Sequence, residues 1–189
     1  ICANSSWFLV AIGLVCMLIG YLYTGGPYPI AYSPFGELVS GAVMGMGIVL
    51  ISFFIQTKTV TLDAVLISVP SMILVGAIML SNNIRDIVGD SEGGRKTLAI
   101  IVGRRAAVNI LATFFIVSFS WIFVLILFNN LTWFALIVFL CLKKPIAAVK
   151  LFKEKTQPLE VMPAMKWTAQ TNTFFVFLLA IALGLSLLF

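Results

Sequence analysis

Long hydrophobic stretches alternate with short polar segments along the whole chain. A helix that crosses a bilayer needs about 20 mostly apolar residues, and the sequence offers six stretches of this kind. The pattern therefore predicts an all-α fold, a polytopic transmembrane helical bundle that forms a single domain over residues 1–189. The predicted spans are Ser6–Tyr23, Gly36–Ile55, Val60–Ile84, Arg105–Phe128, Leu131–Val149 and Trp167–Phe189.

The fifth span has the shortest apolar run, Leu131–Leu142, a length that also occurs in re-entrant or interfacial segments. It crosses the bilayer if Lys143 and Lys144 extend their ammonium groups to the headgroups. Charge favours this interpretation. With six spans, eleven of the twelve Lys and Arg residues fall on one side and only Lys58 on the other. The positive-inside rule then places the loops after spans one, three and five in the cytoplasm.

Two local patterns predict how the helices pack. Pro70, inside the third span, cannot donate a backbone hydrogen bond, so we expect a kink there. Gly41 and Gly45 form a small-xxx-small pair, which lets a second helix approach closely.

Composition excludes several classes of protein. With 61% hydrophobic and 10% charged residues, the chain is not an ordinary soluble domain. The net charge of +5 follows from the topology of the basic loops, and we expect no binding to nucleic acid. Without histidine there is no Ser-His-Asp triad and no histidine zinc site. Cys2, Cys16 and Cys141 lie in apolar stretches without metal-ligand spacing, and we assign them no function.

One long polar segment, "SNNIRDIVGDSEGGRKTLA" at residues 81–99, interrupts the apolar pattern. Asn82, Asp86 and Asp90 are four residues apart, so they share one face if the third helix continues through them. Carboxylate and amide oxygens suit Mg²⁺, which proteins commonly hold with one or two carboxylates together with substrate phosphates. The spacing thus indicates a metal site for a phosphorylated substrate.

Basic residues follow this row directly. Gly93 and Gly94 loosen the backbone just before Arg95 and Lys96, so these cations can fold back toward the carboxylates. Carboxylates, a divalent cation and nearby basic groups together have the chemistry of a diphosphate site. A plainer alternative stays open, in which the aspartates only pair with basic neighbours in a solvated cap on a membrane helix. The segment contains no G-x-x-x-x-G-K-[ST] loop, no EF-hand and no D-G-x-x-A-R opening of a CDP-alcohol phosphotransferase.

The residues "NNIRDIVGDSEGGRKTLAIIVG" resemble the second aspartate-rich motif of the UbiA-type intramembrane aromatic prenyltransferases. Their form is close to that of the 1,4-dihydroxy-2-naphthoate polyprenyltransferases of menaquinone biosynthesis. A second stretch, "GGPYPIAYSPFGEL" at residues 25–38, is similar to a loop of the same enzymes. The six spans resemble the last six helices of that family's nine-helix bundle.

The resemblance implies an enzyme of the cell membrane, with its aspartate-rich loop in the cytoplasm. It would transfer a polyprenyl group from an allylic diphosphate to 1,4-dihydroxy-2-naphthoate, releasing diphosphate and CO₂ and giving demethylmenaquinone. It also implies a Mg²⁺ ion on the donor diphosphate, with a ligand set and a set of diphosphate-binding residues. The implied metal ligands are Asp86, Asp90 and Asn82, and the implied diphosphate contacts are Arg85, Arg95 and Lys96.

The loop that contains Tyr28, Tyr32 and Glu37 lies on the same side as the aspartates, because two spans separate the two segments. We therefore expect this loop to cap the site and Tyr32 to help hold the aromatic acceptor. Its glycines and prolines are equally suited to a simple turn between two helices.

One feature departs from the family pattern. The family has a first aspartate-rich motif of the N-D-x-x-D type, whereas the remaining aspartate here, Asp63, stands alone. We therefore expect that about three N-terminal helices are missing and that this chain alone is inactive. Two alternatives stay open: a sibling enzyme that uses 4-hydroxybenzoate, homogentisate or haem, and a transporter-like bundle without catalysis. A transporter would place ionisable groups near mid-membrane, whereas the acidic residues here lie near span ends.

Overall fold

The computed structural model describes residues 7–188, and every regular element in that part of the chain is helical. Ser6, Phe189 and Cys2 lie outside the described residues. Four helices are long and apolar enough to cross a membrane, and they correspond to predicted spans two, three, four and six. The α-helices are α1 (Phe8–Thr24), α2 (Gly36–Thr57), α3 (Leu62–Arg85), α4 (Ile87–Glu92), α5 (Leu98–Val102), α6 (Arg104–Leu127), α7 (Lys143–Glu154) and α8 (Pro158–Leu185).

Helix α3 lies at the centre of the bundle, in contact with α2, α6 and α8. Leu74, Ala77, Leu80 and Ile84 recur every three or four residues along it, and each is at most 1% exposed. This spacing puts their side chains on one face of the helix, where they form part of the core. The polar segment therefore follows the most buried of the four candidate spans in the described chain.

Pro70 does not end α3, although it removes a backbone donor as predicted. The carbonyl oxygen of Leu66, which a residue at position 70 would normally bond, instead accepts a hydrogen bond from the indole Nε1 of Trp121 at 2.9 Å. An unpaired carbonyl in an apolar environment is costly, so this bond lets the helix continue past the proline. It also joins α3 to α6.

The close approach predicted from Gly41 and Gly45 is confirmed. The two glycines are buried in π-helical turns of α2 and face the backbone of α3. A Cβ atom built on Gly45 would lie 2.6 Å from the carbonyl oxygen of Ser71 and 2.7 Å from the Cα atom of Met72. Backbone atoms cannot move aside as the end of a flexible side chain can, so only glycine fits here.

We expect Gly45→Ala to destabilise the protein by about 1–3 kcal/mol, because the added methyl group overpacks the α2–α3 contact. Thermal unfolding in detergent measures the effect. Gly13→Ala is the matched control, since a Cβ atom on Gly13 in α1 would meet nothing within 4 Å. Equal unfolding temperatures for the two variants would contradict a tight α2–α3 contact.

The fifth segment differs from the predicted continuous span. It consists of a 3-10 helix, Trp133–Cys141, which passes through Leu142 into α7. Pro145 has no N–H to bond the carbonyl of Cys141, so one α-helical hydrogen bond is missing where the 3-10 helix meets α7. This segment is not among the four candidate spans of the described chain.

The last helix begins well before the predicted Trp167. Helix α8 starts at Pro158, which occupies its first turn together with Glu160. Proline is favoured there because its fixed φ suits a helix start and its missing N–H would be unpaired anyway. The prediction from hydropathy was wrong at this boundary because Pro163 and the charged residues Glu160 and Lys166 interrupt the apolar run before Trp167.

Arg104, at the start of α6, ties together the ends of two other helices. Its guanidinium donates to the carbonyl of Ile84 at 2.8 Å and to that of Lys155 at 2.6 Å, with a third bond to Phe152 at 3.2 Å. These carbonyls belong to the last turns of α3 and α7, which lack partners within their own helices. Arg104 thus fixes the end of α3, from which the polar segment begins.

Candidate functional site

The polar segment keeps its four-residue spacing although the helix is interrupted. Helix α3 ends at Arg85, Asp86 departs from helical geometry with φ −95° and ψ 9°, and α4 follows. The backbone N–H of Asp86 still bonds the carbonyl of Asn82 at 3.0 Å, and that of Asp90 bonds Asp86 at 2.8 Å. The predicted row of Asn82, Asp86 and Asp90 therefore persists through a break rather than along one continuous helix.

A glycine turn brings Arg95 back to the carboxylates. Gly94 has a φ of +73°, which other residues rarely adopt, and its N–H bonds Ser91 while that of Arg95 bonds Asp90. This pair of bonds is the Schellman ending of a helix. Beyond the turn, Nη1 of Arg95 lies 3.0 Å from Oδ1 of Asp90. The expectation that a basic side chain folds back is thus confirmed for Arg95.

Arg85 faces Asp86 rather than standing free. Its Nε and Nη2 atoms donate to the two carboxylate oxygens of Asp86 at 2.6 and 2.5 Å, a two-pronged ion pair. Its Nη1 atom lies 3.3 Å from the sulfur of Met162 on α8. The Arg85–Asp86 and Arg95–Asp90 ion pairs are also what we expect if the aspartates only form a solvated cap on a membrane helix. Lys96 is exposed, and its ammonium has no ion pair within residues 7–188.

The two motifs of the sequence contact each other. The guanidinium carbon of Arg95 lies 4.4 Å from the centre of the Tyr32 ring, within the range of a cation–π interaction. The backbone N–H of Lys96 donates to the carbonyl of Tyr32 at 2.8 Å. Tyr32 ends a short 3-10 turn, Ile30–Tyr32. The loop therefore covers one side of the Asp90–Arg95 pair, as expected, while Tyr28 is 91% exposed.

Glu37 and Asn83 form a second link between the motifs. Glu37, at the start of α2, is only 4% exposed, and its Oε1 accepts a hydrogen bond from Nδ2 of Asn83 at 2.8 Å. Its Oε2 has no partner among the described residues. Sequence reasoning missed Asn83, although its position three residues after Leu80 continues the buried face of α3 with a polar side chain. The polar side chain of Asn83 on an otherwise apolar helix face was the feature of the sequence that could have identified it.

The donor set fits a hard divalent cation. Asp86, Asp90 and Asn82 offer oxygen atoms, the ligands that such a cation prefers. Within residues 7–188 no three His, Cys, Asp or Glu side chains are grouped to hold a metal by themselves. A cation here would complete its shell with substrate oxygens and water, the usual arrangement for Mg²⁺. Asp63 is not part of this group, because it begins α3 and bonds Asn130.

An apolar cavity of about 480 Å³ lies between α1, α2 and α3. Met79 lines it and stands three residues before Asn82, so these two side chains lie on the same face of α3. The cavity therefore lies on the same side of α3 as Asn82. Its other lining residues include Cys16, Ile19, Tyr23, Val39, Val43 and Ile51.

A sequence model of the UbiA prenyltransferase family matches residues 1–167. The chain is 57% identical over 186 residues to the 1,4-dihydroxy-2-naphthoate octaprenyltransferase of Bacillus subtilis (strain 168), covering 98% of this chain and 60% of that protein. It is 32% identical over 162 residues to the UbiA prenyltransferase domain-containing protein 1 homolog of Drosophila melanogaster, covering 86% of this chain and 44% of that protein.

A shorter match is to the 1,4-dihydroxy-2-naphthoate octaprenyltransferase of Mycobacterium tuberculosis (strain ATCC 25618 / H37Rv). It is 33% identical over 99 residues, covering 52% of this chain and 34% of that protein. The chain thus spans at most 60% of the length of these relatives. No solved structure matches it significantly.

Proposed function

Because the chain belongs to the UbiA prenyltransferase family, we propose that it binds the diphosphate of a polyprenyl donor and takes part in prenyl transfer to 1,4-dihydroxy-2-naphthoate. The observation that carries this proposal is the arrangement of Asp86 and Asp90 beside Arg85 and Arg95, with Tyr32 closing one side. The acceptor is taken from the name of the Bacillus subtilis relative. The product would be the reduced, 1,4-dihydroxy form of demethylmenaquinone, because both ring hydroxyls of the acceptor are kept. This reaction is a step of menaquinone biosynthesis.

Asp86, Asp90 and Asn82 are the residues that would hold Mg²⁺. Bound there, the ion would neutralise the diphosphate and make it a better leaving group. Both carboxylates are already paired with guanidinium groups, so their negative charge is held in place before a substrate arrives. When a diphosphate binds, Arg95 and Arg85 can turn their donors to its oxygens, and the exposed Lys96 can add a third cation.

The reaction then proceeds at the allylic carbon of the donor. Its C–O bond breaks, the electron pair leaves with the diphosphate, and the ring of the acceptor forms the new C–C bond. Loss of the ring carboxylate as CO₂ returns an electron pair to the ring. Arg85, Arg95 and Lys96 stabilise the negative charge that develops on the leaving diphosphate.

The substrates require two different environments. The apolar cavity beside Met79 suits the isoprenoid chain, since it lies on the same face of α3 as Asn82. We assign the aromatic acceptor to the side of the site that Tyr32 covers. We place the protein in the cell membrane, with the site at the cytoplasmic face, because the basic loops lie at that end.

The test is an assay of a chimera, the Bacillus subtilis relative in which this chain replaces the segment that it matches. Membranes that contain the chimera should prenylate 1,4-dihydroxy-2-naphthoate in the presence of Mg²⁺ and stop when EDTA removes the metal. The same membranes should not use 4-hydroxybenzoate or homogentisate. Prenylation of one of those acceptors instead would assign the chain to a sibling enzyme. Absence of all transfer, with the chimera folded in the membrane, would favour a bundle without catalysis.

A further inference from the structure

A second cavity system lies between α6 and α7, outside the α1–α2–α3 cavity and the polar row. It begins as an apolar groove of about 460 Å³, lined by Ala112, Phe115, Ile116, Phe119, Leu142, Ile146 and Val149. It continues toward the start of α6 as a more polar pocket of about 540 Å³. Lys153 lines both, so the two cavities are adjacent.

The groove follows α6 from its start to Phe119 and lies along α7. On α6 its lining residues recur at positions 105, 108, 112, 116 and 119, which is one face of a helix. On α7 they recur at 142, 146, 149 and 153. The apolar part therefore runs into the bundle, and the polar part opens where α6 starts and α7 ends. A molecule lying in it would be parallel to the helices, as membrane lipids are.

The polar end is strongly basic. Four cations, Arg104, Arg105, Lys150 and Lys153, line the two cavities, against the single carboxylate of Glu154. Glu154 pairs with Lys150 at 3.8 Å. Within residues 7–188 no hydrogen bond or ion pair involves the side chain of Arg105 or of Lys153, and both are exposed. Two unpaired cations at the end of an apolar groove are complementary to an anion that carries an alkyl chain.

Hydrogen bonds from Arg104 hold the two helices that form the walls of the polar pocket. The three backbone carbonyl bonds of Arg104 hold the start of α6 against the end of α7. Because the guanidinium of Arg104 is used in this way, Arg105 and Lys153 remain the groups available to a ligand. Asn109 and Thr156 also line the pocket and supply neutral donors.

We propose that this groove binds an anionic phospholipid, with one acyl chain between α6 and α7 and the phosphate between Arg105 and Lys153. Basic pockets between membrane helices recognise anionic headgroups in this way, and each nearby Lys or Arg adds to the attraction. The apolar part has the size of a typical small-molecule pocket, about 300–1,000 Å³. The lipid would occupy a site distinct from that of the polyprenyl diphosphate.

Native mass spectrometry of the purified full chain in neutral detergent tests this proposal. Under the same conditions, dioleoyl phosphatidylglycerol should remain bound to the protein and dioleoyl phosphatidylcholine should dissociate. The double variant Arg105→Gln/Lys153→Gln should lose at least about tenfold in affinity for phosphatidylglycerol. Lys58→Gln/Lys166→Gln removes the same charge elsewhere and should bind as the unaltered chain does. Circular dichroism checks that both double variants are folded.

Two further measurements separate the contribution of the phosphate from that of the acyl chain. Inorganic phosphate should not displace the lipid at equal concentration, and dihexanoyl phosphatidylglycerol should bind far more weakly than the dioleoyl form. Equal retention of the two dioleoyl lipids, or unchanged affinity in Arg105→Gln/Lys153→Gln, would overturn the proposal. Full competition by inorganic phosphate would show an anion site without an acyl-chain groove, and would overturn it as well.

Discussion

In the chimera, Asp90→Asn is expected to reduce prenyl transfer on the order of 10²–10³-fold, the loss typical when one preorganised electrostatic contact is removed. Asparagine keeps the shape of the side chain but cannot hold a divalent cation as a carboxylate does. The Asp90 side chain is only 12% exposed and is paired with Arg95, so it is already positioned before a substrate binds. Steady-state rates at saturating Mg²⁺, with both substrates varied, measure the effect.

Glu92→Gln is the matched control for this substitution. Glu92 lies on the same short helix, is exposed, and forms no ion pair within the described residues. Both substitutions remove one negative charge from α4, so a general electrostatic effect would appear in both. We expect full activity in Glu92→Gln. If Asp90→Asn also keeps full activity, Asp90 is not a metal ligand, and the proposed role of the segment fails.

Helix packing was predictable from the sequence where one residue type has a single physical consequence. The pair Gly41 and Gly45 predicted close contact, and the structure places them against the backbone of Met72. Gly93 and Gly94 predicted a return of the chain, and the helix ending at Gly94 brings Arg95 to Asp90. In each case the absence of a Cβ atom permits a geometry that other residues do not.

Other features could not be read from hydropathy. The Glu37–Asn83 hydrogen bond joins positions 46 residues apart, and the residues around each one do not indicate that the two side chains meet. The three bonds of Arg104 depend in the same way on where α3 and α7 end in space. The start of α8 was missed because Pro163 and the charges of Glu160 and Lys166 break the apolar run, although the helix continues through them.

The two interpretations of the aspartates predict different magnitudes for Arg95→Gln. If the Asp90–Arg95 pair only caps a helix, its loss should cost less than about 1 kcal/mol, because the Arg95 side chain is 37% exposed and solvent screens the pair. If Arg95 binds the donor, charge-assisted hydrogen bonds to the diphosphate are lost. We then expect the KM for the polyprenyl diphosphate to rise on the order of 10–100-fold, with a smaller change in kcat.

Measuring KM and unfolding temperature on the same Arg95→Gln chimera separates these outcomes. Lys58→Gln removes an exposed cation from the loop between α2 and α3 and should change neither quantity. Arg95→Lys should give an intermediate KM, since it keeps the charge but not the planar fork that contacts two oxygens at once. A lowered unfolding temperature with unchanged donor affinity would instead make Arg95 a structural partner of Asp90, and the diphosphate would have to be held by Arg85 and Lys96 without it.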